Sequence, residues 1–343
     1  RQPLLLSPTP CGPNPAYDSR LYFTGMGEAR RTVIDSGYHA KRPLLRLISK
    51  DSPADLREAT VDFSQVPGIS QGKESALEEL NSLIGLRKVK ELIFEIYAFA
   101  EVQKKREKLG LSTEKTVLHM IFKGNPGTGK TTIARIIGKL LYEAGLLEKG
   151  HVVEVERADL VGEYIGHTAQ KTKEQVKKAQ GGILFIDEAY SLSRGGEKDF
   201  GKECIDCIVK SMEDRAKETV FILAGYPQEM EQFLRTNPGL RSRFPIHLEF
   251  PDYDLEDLMR IAELMLRKRD YRLSSEARTT LRQIIAAKMA TEVVPSNARM
   301  VRNIIEKAMR RQAVRLIKNK SFTRQDLILI GPEELLEASS DDV

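Results

Sequence analysis

Gly124-Asn125-Pro126-Gly127-Thr128-Gly129-Lys130-Thr131 sets three glycines, a lysine and a threonine in the order G-x-x-x-x-G-K-[ST]. Glycines let such a loop fold tightly, so that backbone N–H groups turn inward toward phosphate oxygens. A helix starting at Thr131 adds the positive end of its dipole. Lys130 reaches the β- and γ-phosphates of a nucleoside triphosphate, and the Thr131 hydroxyl is a ligand for Mg²⁺. A second group, Ile183-Leu184-Phe185-Ile186-Asp187-Glu188, brings a carboxylate pair 57 residues after Lys130 (187 minus 130). Its four apolar residues deliver the pair to the end of a buried strand, the edge where ligands bind in open α/β sheets. Asp187 is placed to hold Mg²⁺ through its water shell, and Glu188 to polarise an attacking water.

Alternating strands and helices are needed to bring these groups together. Val117–Phe122 reads as the strand before the loop and Thr131–Leu141 as the helix after it. His151–Glu156 (strand), Lys171–Ala179 (helix), Ile183–Ile186 (strand), Cys204–Met212 (helix), Val220–Ala224 (strand) and Ile246–Phe250 (strand) continue the series. The alternation predicts an α/β fold, a parallel sheet with helices on both faces. Upstream, Leu77, Leu80, Leu83 and Ile84 suggest a helix leading into the turn Ile84-Gly85-Leu86. Val89, Leu92, Ile93, Ile96, Phe99, Ala100 and Val102 then form one face of a long helix ending at Gly110. After Pro251 the pattern is helical throughout: Leu255–Lys268, Ser275–Met289 and Asn297–Lys318, with no strand of substance. The chain thus divides into a proline-crowded, mostly disordered arm (1–72), a nucleotide-binding α/β domain (73–251), a small all-α domain (252–336) and an acidic tail (337–343).

At 343 residues the chain suits one large or two modest domains. Its 54 Lys+Arg exceed its 49 Asp+Glu by five, a balance that does not by itself imply nucleic acid. No run approaches the ~18–20 uninterrupted apolar residues of a membrane span; Leu92–Val102 is cut by Glu95 and Glu101. Leu4–Leu6 is too short for the core of a secretion signal. Three cysteines exclude a disulfide scaffold and suit a reducing cytoplasm. Cys204-Ile205-Asp206-Cys207 has no second pair, and Ile205, Ile208, Val209 and Met212 make it part of a helix's apolar stripe. His119, His151 and His167 lack metal-ligand spacing.

The two motifs together resemble the AAA+ ATPases, and the helices after Pro251 resemble the AAA+ lid. Leu118–Thr131, Asp159–Thr168, Phe185–Tyr190, Leu223–Tyr226 and Asn237–Phe244 are similar to one branch, that of the stage V sporulation protein K family and the red-type rubisco activases. Ala189–Lys202 resembles the sporulation family in particular. The likeness runs from about Leu77 to Leu335. It implies a P-loop core with a lid, ATP and Mg²⁺ as cofactors, and a homo-hexameric ring remodelling a protein client, in a role tied to sporulation. It carries Arg243 over as the arginine finger acting on a neighbour's nucleotide, with Arg241 as the alternative. Arg299, in Asn297-Ala298-Arg299, would touch the nucleotide from the lid, although Arg302 lies one turn away. The nucleotide-binding set is then Ile84, Gly85, Gly124, Asn125, Pro126, Gly127, Thr128, Gly129, Lys130, Thr131, Thr132, Asp187 and Arg299. In Leu160-Val161-Gly162-Glu163-Tyr164-Ile165-Gly166, two glycines make a mobile loop, which the resemblance places at a central pore with Tyr164 and Ile165 gripping polypeptide.

One position departs from the family. Many relatives have an Asn after the fourth core strand, where this chain has Gly225-Tyr226. Tyr226 could orient water through its hydroxyl or simply pack as an aromatic. Two rival functions stand beside the leading one. Residues 260–324 hold 17 Lys/Arg against 5 Asp/Glu, which favours a nucleic-acid motor. The acids after Gly331 and the lack of a following winged domain argue against it. A nucleotide-gated scaffold without turnover conflicts with intact Lys130, Asp187 and Glu188.

Overall fold

Continuous apolar runs build the sheet, and the sheet builds the site. The computed structural model describes residues 76–113, 117–164, 166–194, 200–214, 218–319 and 321–340. The arm at 1–72 and residues 341–343 of the acidic tail lie outside the described residues. Strands β1 (Met120–Gly124), β2 (Val152–Val155), β3 (Ile183–Ile186), β4 (Val220–Gly225) and β5 (Ile246–Phe250) form one sheet in the order β2-β3-β4-β1-β5. All four pairings are parallel, with Met120 opposite both Ile222 and Ile246, and Ile183 opposite both Val152 and Val220. Successive side chains of a strand point to opposite faces. Met120, Phe122, Ile183, Phe185, Ile222 and Ala224 therefore enter one core layer, and Ile121, Leu184, Ile186, Phe221 and Leu223 the other. Both layers are covered, which is why β1, β3 and β4 are buried throughout.

Helices α1 (Ala76–Ser82), α2 (Arg87–Lys108) and α3 (Lys130–Glu143) cover the first layer. The second is covered by α4 (Arg157–Leu160), α5 (His167–Lys178), α6 (Gly201–Asp214), α7 (Pro227–Thr236) and α8 (Pro238–Arg243), with a short 3-10 turn at Ala189–Ser193. The predicted apolar face of α2 is only partly used. Val89, Ile93 and Ala100 are buried, but Phe99 and Val102 are about half exposed. Helix α5 begins four residues before the predicted Lys171, because Gly166 takes a φ of 83° at its N-cap.

The remaining helices have a core of their own. Helix α9 (Leu255–Arg267) is capped by the Asp254 carboxylate, which accepts the Asp257 N–H at 2.8 Å. Then follow β6 (Arg272–Leu273), α10 (Ser275–Thr291), α11 (Asn297–Lys318), α12 (Arg324–Ile328), β7 (Leu329–Ile330) and α13 (Pro332–Ser340). Leu258, Ala262, Leu281, Ile285, Val301, Ile305 and Ile330 fill the centre. β6 and β7 pair over two residues each, a small strand contact that periodicity did not reveal. Acidic α13 packs onto this layer: Leu335 is buried, and so is Glu334, whose carboxylate accepts Arg315 Nε at 2.5 Å. That acid faces a lid arginine rather than open solvent.

Candidate active site

Because every strand is parallel, the loops after β1, β3, β4 and β5 emerge at one edge of the sheet. Together with the first turn of α11 and the turn between α1 and α2, they enclose a cavity of about 700 Å³. Its polar floor is Gly127, Gly129, Lys130, Thr131, Thr132, Asp187 and Glu188. Residues 130 and 187, distant in sequence, thus share one wall because β1 and β3 flank β4.

Lys130 sits in the first turn of α3, with Nζ donating to the carbonyls of Gly124 and Asn125 at 2.8 and 2.9 Å. Burial pushes its pKa down, Asp187 pulls it up, and Arg299 pushes it down again. A triphosphate in the cavity would offer this partly desolvated ammonium stronger acceptors than two carbonyls. Glu188 holds a φ of 47°, unusual for a residue with a Cβ, and its N–H donates to Asp187 Oδ1 at 3.0 Å. The turn sends the Glu188 side chain outward into the cavity mouth, where it is exposed. Thr131 supplies a hydroxyl and Asp187 a carboxylate on the same wall; such hard oxygen donors fit Mg²⁺, which takes few protein ligands and completes its shell with water and phosphate oxygens.

The opposite wall is apolar: Leu83, Ile84, Leu86, Tyr253, Ile261, Leu264 and Met265 make a slot suited to a flat base. Gly85 lies just behind it at φ 64°, where a Cβ would meet Asp257 Oδ2 at 3.0 Å and the Tyr253 ring. Gly124 and Thr128 shape the loop from outside the cavity. Gly124 backs onto Phe250, and the Thr128 hydroxyl, fully buried, donates to the Asn125 carbonyl at 2.8 Å. The Asn125 side chain turns away from the cavity to Asp252. Arg299 and Arg302 both line the lid side, along with Lys268, Arg269 and Glu306, and Arg135 lines the core side from α3; no motif singled out these last four. Tyr226 lines the wall and stacks on Tyr190, ring centroids 5.8 Å apart, while the Arg194 guanidinium lies 4.6 Å over the Tyr190 ring.

Other expected site residues lie elsewhere. Arg243 is absent from the cavity wall; on α8 its guanidinium pairs with Glu213 and donates to the Gly239 carbonyl at 2.8 Å. Arg241 on the same short helix is exposed. Tyr164 is 65% exposed, its ring edge-on to that of His167 with centroids 5.4 Å apart. Ile165 lies outside the described residues. Gly162 is not a free hinge: a Cβ there would sit 2.5 Å from His167 Cβ, and its N–H donates to Thr168 Oγ1 at 3.0 Å. Cys204 is buried, takes a hydrogen bond from Thr172 at 3.4 Å, and is raised by burial to a pKa of about 11, so it packs rather than reacts. Among the described residues no cluster of three His, Cys, Asp or Glu forms a metal site. Lys123, buried beside the loop and paired with Glu231 on α7, carried no sequence signal beyond one charge in an apolar strand.

A phosphate loop on a parallel sheet, a lysine, a carboxylate pair and a base slot under a lid define a P-loop nucleotide hydrolase. The family described as "ATPase family associated with various cellular activities (AAA)" matches residues 120–252, and "AAA lid domain" matches residues 254–342. The chain belongs to this AAA family and is an ATPase. It is 52% identical to "Stage V sporulation protein K" of Bacillus subtilis (strain 168), over 81% of this chain and 88% of that protein. It is 49% identical to "Protein CbbX" of Cereibacter sphaeroides, over 73% and 81% of the two chains. It is 45% identical to the chloroplastic "Ribulose bisphosphate carboxylase/oxygenase activase" of Cyanidioschyzon merolae (strain NIES-3377 / 10D), over 77% and 92%. No helix among the described residues is long and apolar enough to cross a membrane.

Proposed function

We propose that the chain assembles as a homo-hexameric ring that hydrolyses ATP between subunits and remodels a protein client through a central pore, in the cytoplasm and in spore formation. The observation that carries the reading is the position of Arg243. It borders no part of its own cavity, yet it is held at a defined place on α8 by Glu213 and Gly239. A finger so placed serves a neighbour's triphosphate, where its planar cation offsets charge spreading over the transferred phosphoryl group. Likeness to the sporulation protein supports the cellular role.

In this reading Lys130 and the loop N–H groups hold the β- and γ-phosphates, and Ile84 and Gly85 border the base. Thr131 and Asp187 would hold Mg²⁺, which supplies charge neutralisation between the phosphates. Glu188 takes the proton of the attacking water, and Arg299 reports the phosphate state to the lid. Residues 73–251 and 252–336 move against each other as the nucleotide changes, and Tyr164, with Ile165, passes that movement to the client.

Glu188→Gln tests the reading. The variant keeps a polar group of the same shape but no base, so it should bind ATP, turn over little, sediment as six copies and retain client. Sedimentation as a single chain at saturating ATP would overturn the ring, and undiminished turnover would overturn the role of Glu188.

A further inference from the structure

Three polar side chains from separate segments meet beside the phosphate loop, and none of them lines the cavity. Asn125 is in the loop, Asp252 lies between β5 and α9, and Asn297 opens α11. Asn125 Nδ2 donates to the Asp252 carboxylate, 3.0 and 2.9 Å from its two oxygens. Asn297 Nδ2 lies 2.8 Å from Asp252 Oδ1 and 3.2 Å from the carbonyl oxygens of Pro126 and Pro295. Its two hydrogens serve two of these three acceptors at a time. Asn297 Oδ1 accepts the Tyr253 N–H at 2.9 Å. Asn297 is 2% exposed and has a φ of 49°. A short amide that bonds locally is among the few side chains that tolerate this conformation. The next residue adds a backbone link, since the Ala298 N–H donates to the Gly127 carbonyl at 3.2 Å.

We propose that Asp252 is a positioning residue: its carboxylate ties the phosphate loop to the first turn of the lid helix, and so holds Arg299 against the triphosphate. The inference rests on the ATPase assignment and is independent of the ring and the client. The chemistry fits a carboxylate here, because two amide groups approach as donors and a carboxylate is acceptor-only. Asp252 is also the last residue of the AAA match, two residues before the lid match begins at 254. Any tilt of the lid must pass this contact. Arg299 follows Asn297 by two residues and acts on Lys130 by charge, so release of Asn297 carries Arg299 away from the phosphates.

A charge swap tests this. Asn125→Asp faces one carboxylate with another and should open the clamp. Asp252→Asn removes the charge but keeps one acceptor for Asn297. In the double variant Asn125→Asp/Asp252→Asn, the new amide donates to residue 125 and its oxygen still accepts from Asn297. Asn125→Asp should lower kcat about tenfold, the loss of roughly one charged hydrogen bond. The double variant should return to within about threefold of the parent, a coupling that a merely destabilised loop would not show. Hydrogen exchange at the Ala298 amide should quicken in Asn125→Asp and slow again in the swap. If Asn125→Asp does not fold, Asn125→Ala removes the donor and should change kcat and exchange in the same direction. Parental kcat and exchange in the single variant, or a swap no better than it, would overturn the proposal. Absence of turnover in the parent would instead count against the ATPase assignment, and exchange at Ala298 would still decide the clamp.

Discussion

Gly127→Ala separates what the phosphate loop owes to its shape from what it owes to the lid. Gly127 has a φ of 72°, where an L-residue costs about 1–2 kcal/mol. A Cβ would also collide with the Ser296 carbonyl and lie 2.7 Å from Arg299 N, against the 3.4 Å of ordinary contact. Both are backbone atoms at the start of α11, so the helix must retreat. That strains two hydrogen bonds, Ala298 N–H to Gly127 O and Asn297 Nδ2 to Pro126 O, each 3.2 Å long. At about 0.5–1.5 kcal/mol each, their loss would disfavour the closed lid by about 1–3 kcal/mol, or about 5- to 150-fold. Phosphate release at saturating ATP should fall by that factor. Gly110→Ala is the control: its φ is 68° but nothing lies within 4 Å of the added carbon. It should lower the thermal midpoint by a similar few degrees and leave turnover unchanged. Parental turnover in Gly127→Ala, or an equal loss in Gly110→Ala, would refute the reasoning.

Arg243→Ala should bind ATP nearly as the parent does and lose hydrolysis by about 10³–10⁵. Mixing it with Lys130→Ala should restore some phosphate release, since a hybrid interface joins an intact loop to an intact finger; no recovery despite subunit exchange would place the finger elsewhere. Tyr164→Ala should keep basal turnover within a few-fold and lose client remodelling, while Tyr164→Phe keeps both; remodelling at the parental rate in the alanine variant would end the pore-loop reading. His119 is buried, with Nδ1 accepting the Phe221 N–H at 3.2 Å, and burial lowers its pKa to about 4 from 6.5. Between those values the unfolded chain binds the extra proton, so stability should fall as pH drops from about 6.5 toward 4, by up to roughly 3 kcal/mol from this group. Chemical denaturation across that range should show a shallower acid loss in His119→Gln, and equal slopes would remove His119 as a cause.

The sheet was legible because its signal is local. Ile183–Ile186 and Ile246–Phe250 are runs whose composition already says strand, and both have those bounds in the structure. Asn297–Lys318 likewise follows from helical periodicity sustained over 22 residues. The phosphate loop and carboxylate pair were legible because close backbone approach and metal ligation demand particular residues at fixed spacing. Helices α7 and α8 escaped, since each is short and opens on a proline that reads as loop.

Other features depend on residues far apart in the chain, and no periodicity encodes them. Which lid cations line the cavity, and that Phe99 and Val102 stay exposed, depend on where α11 and α2 pack. Gly162 read as a source of freedom, but the approach of His167 makes it a close contact. Sequence alone determined that this chain carries a phosphate-binding loop, paired carboxylates and a sheet to hold them. Only the tertiary structure decided that Asn125, Asp252 and Asn297 join, because hydrogen bonds between segments 45 to 171 residues apart depend on three-dimensional register and leave no mark on local composition.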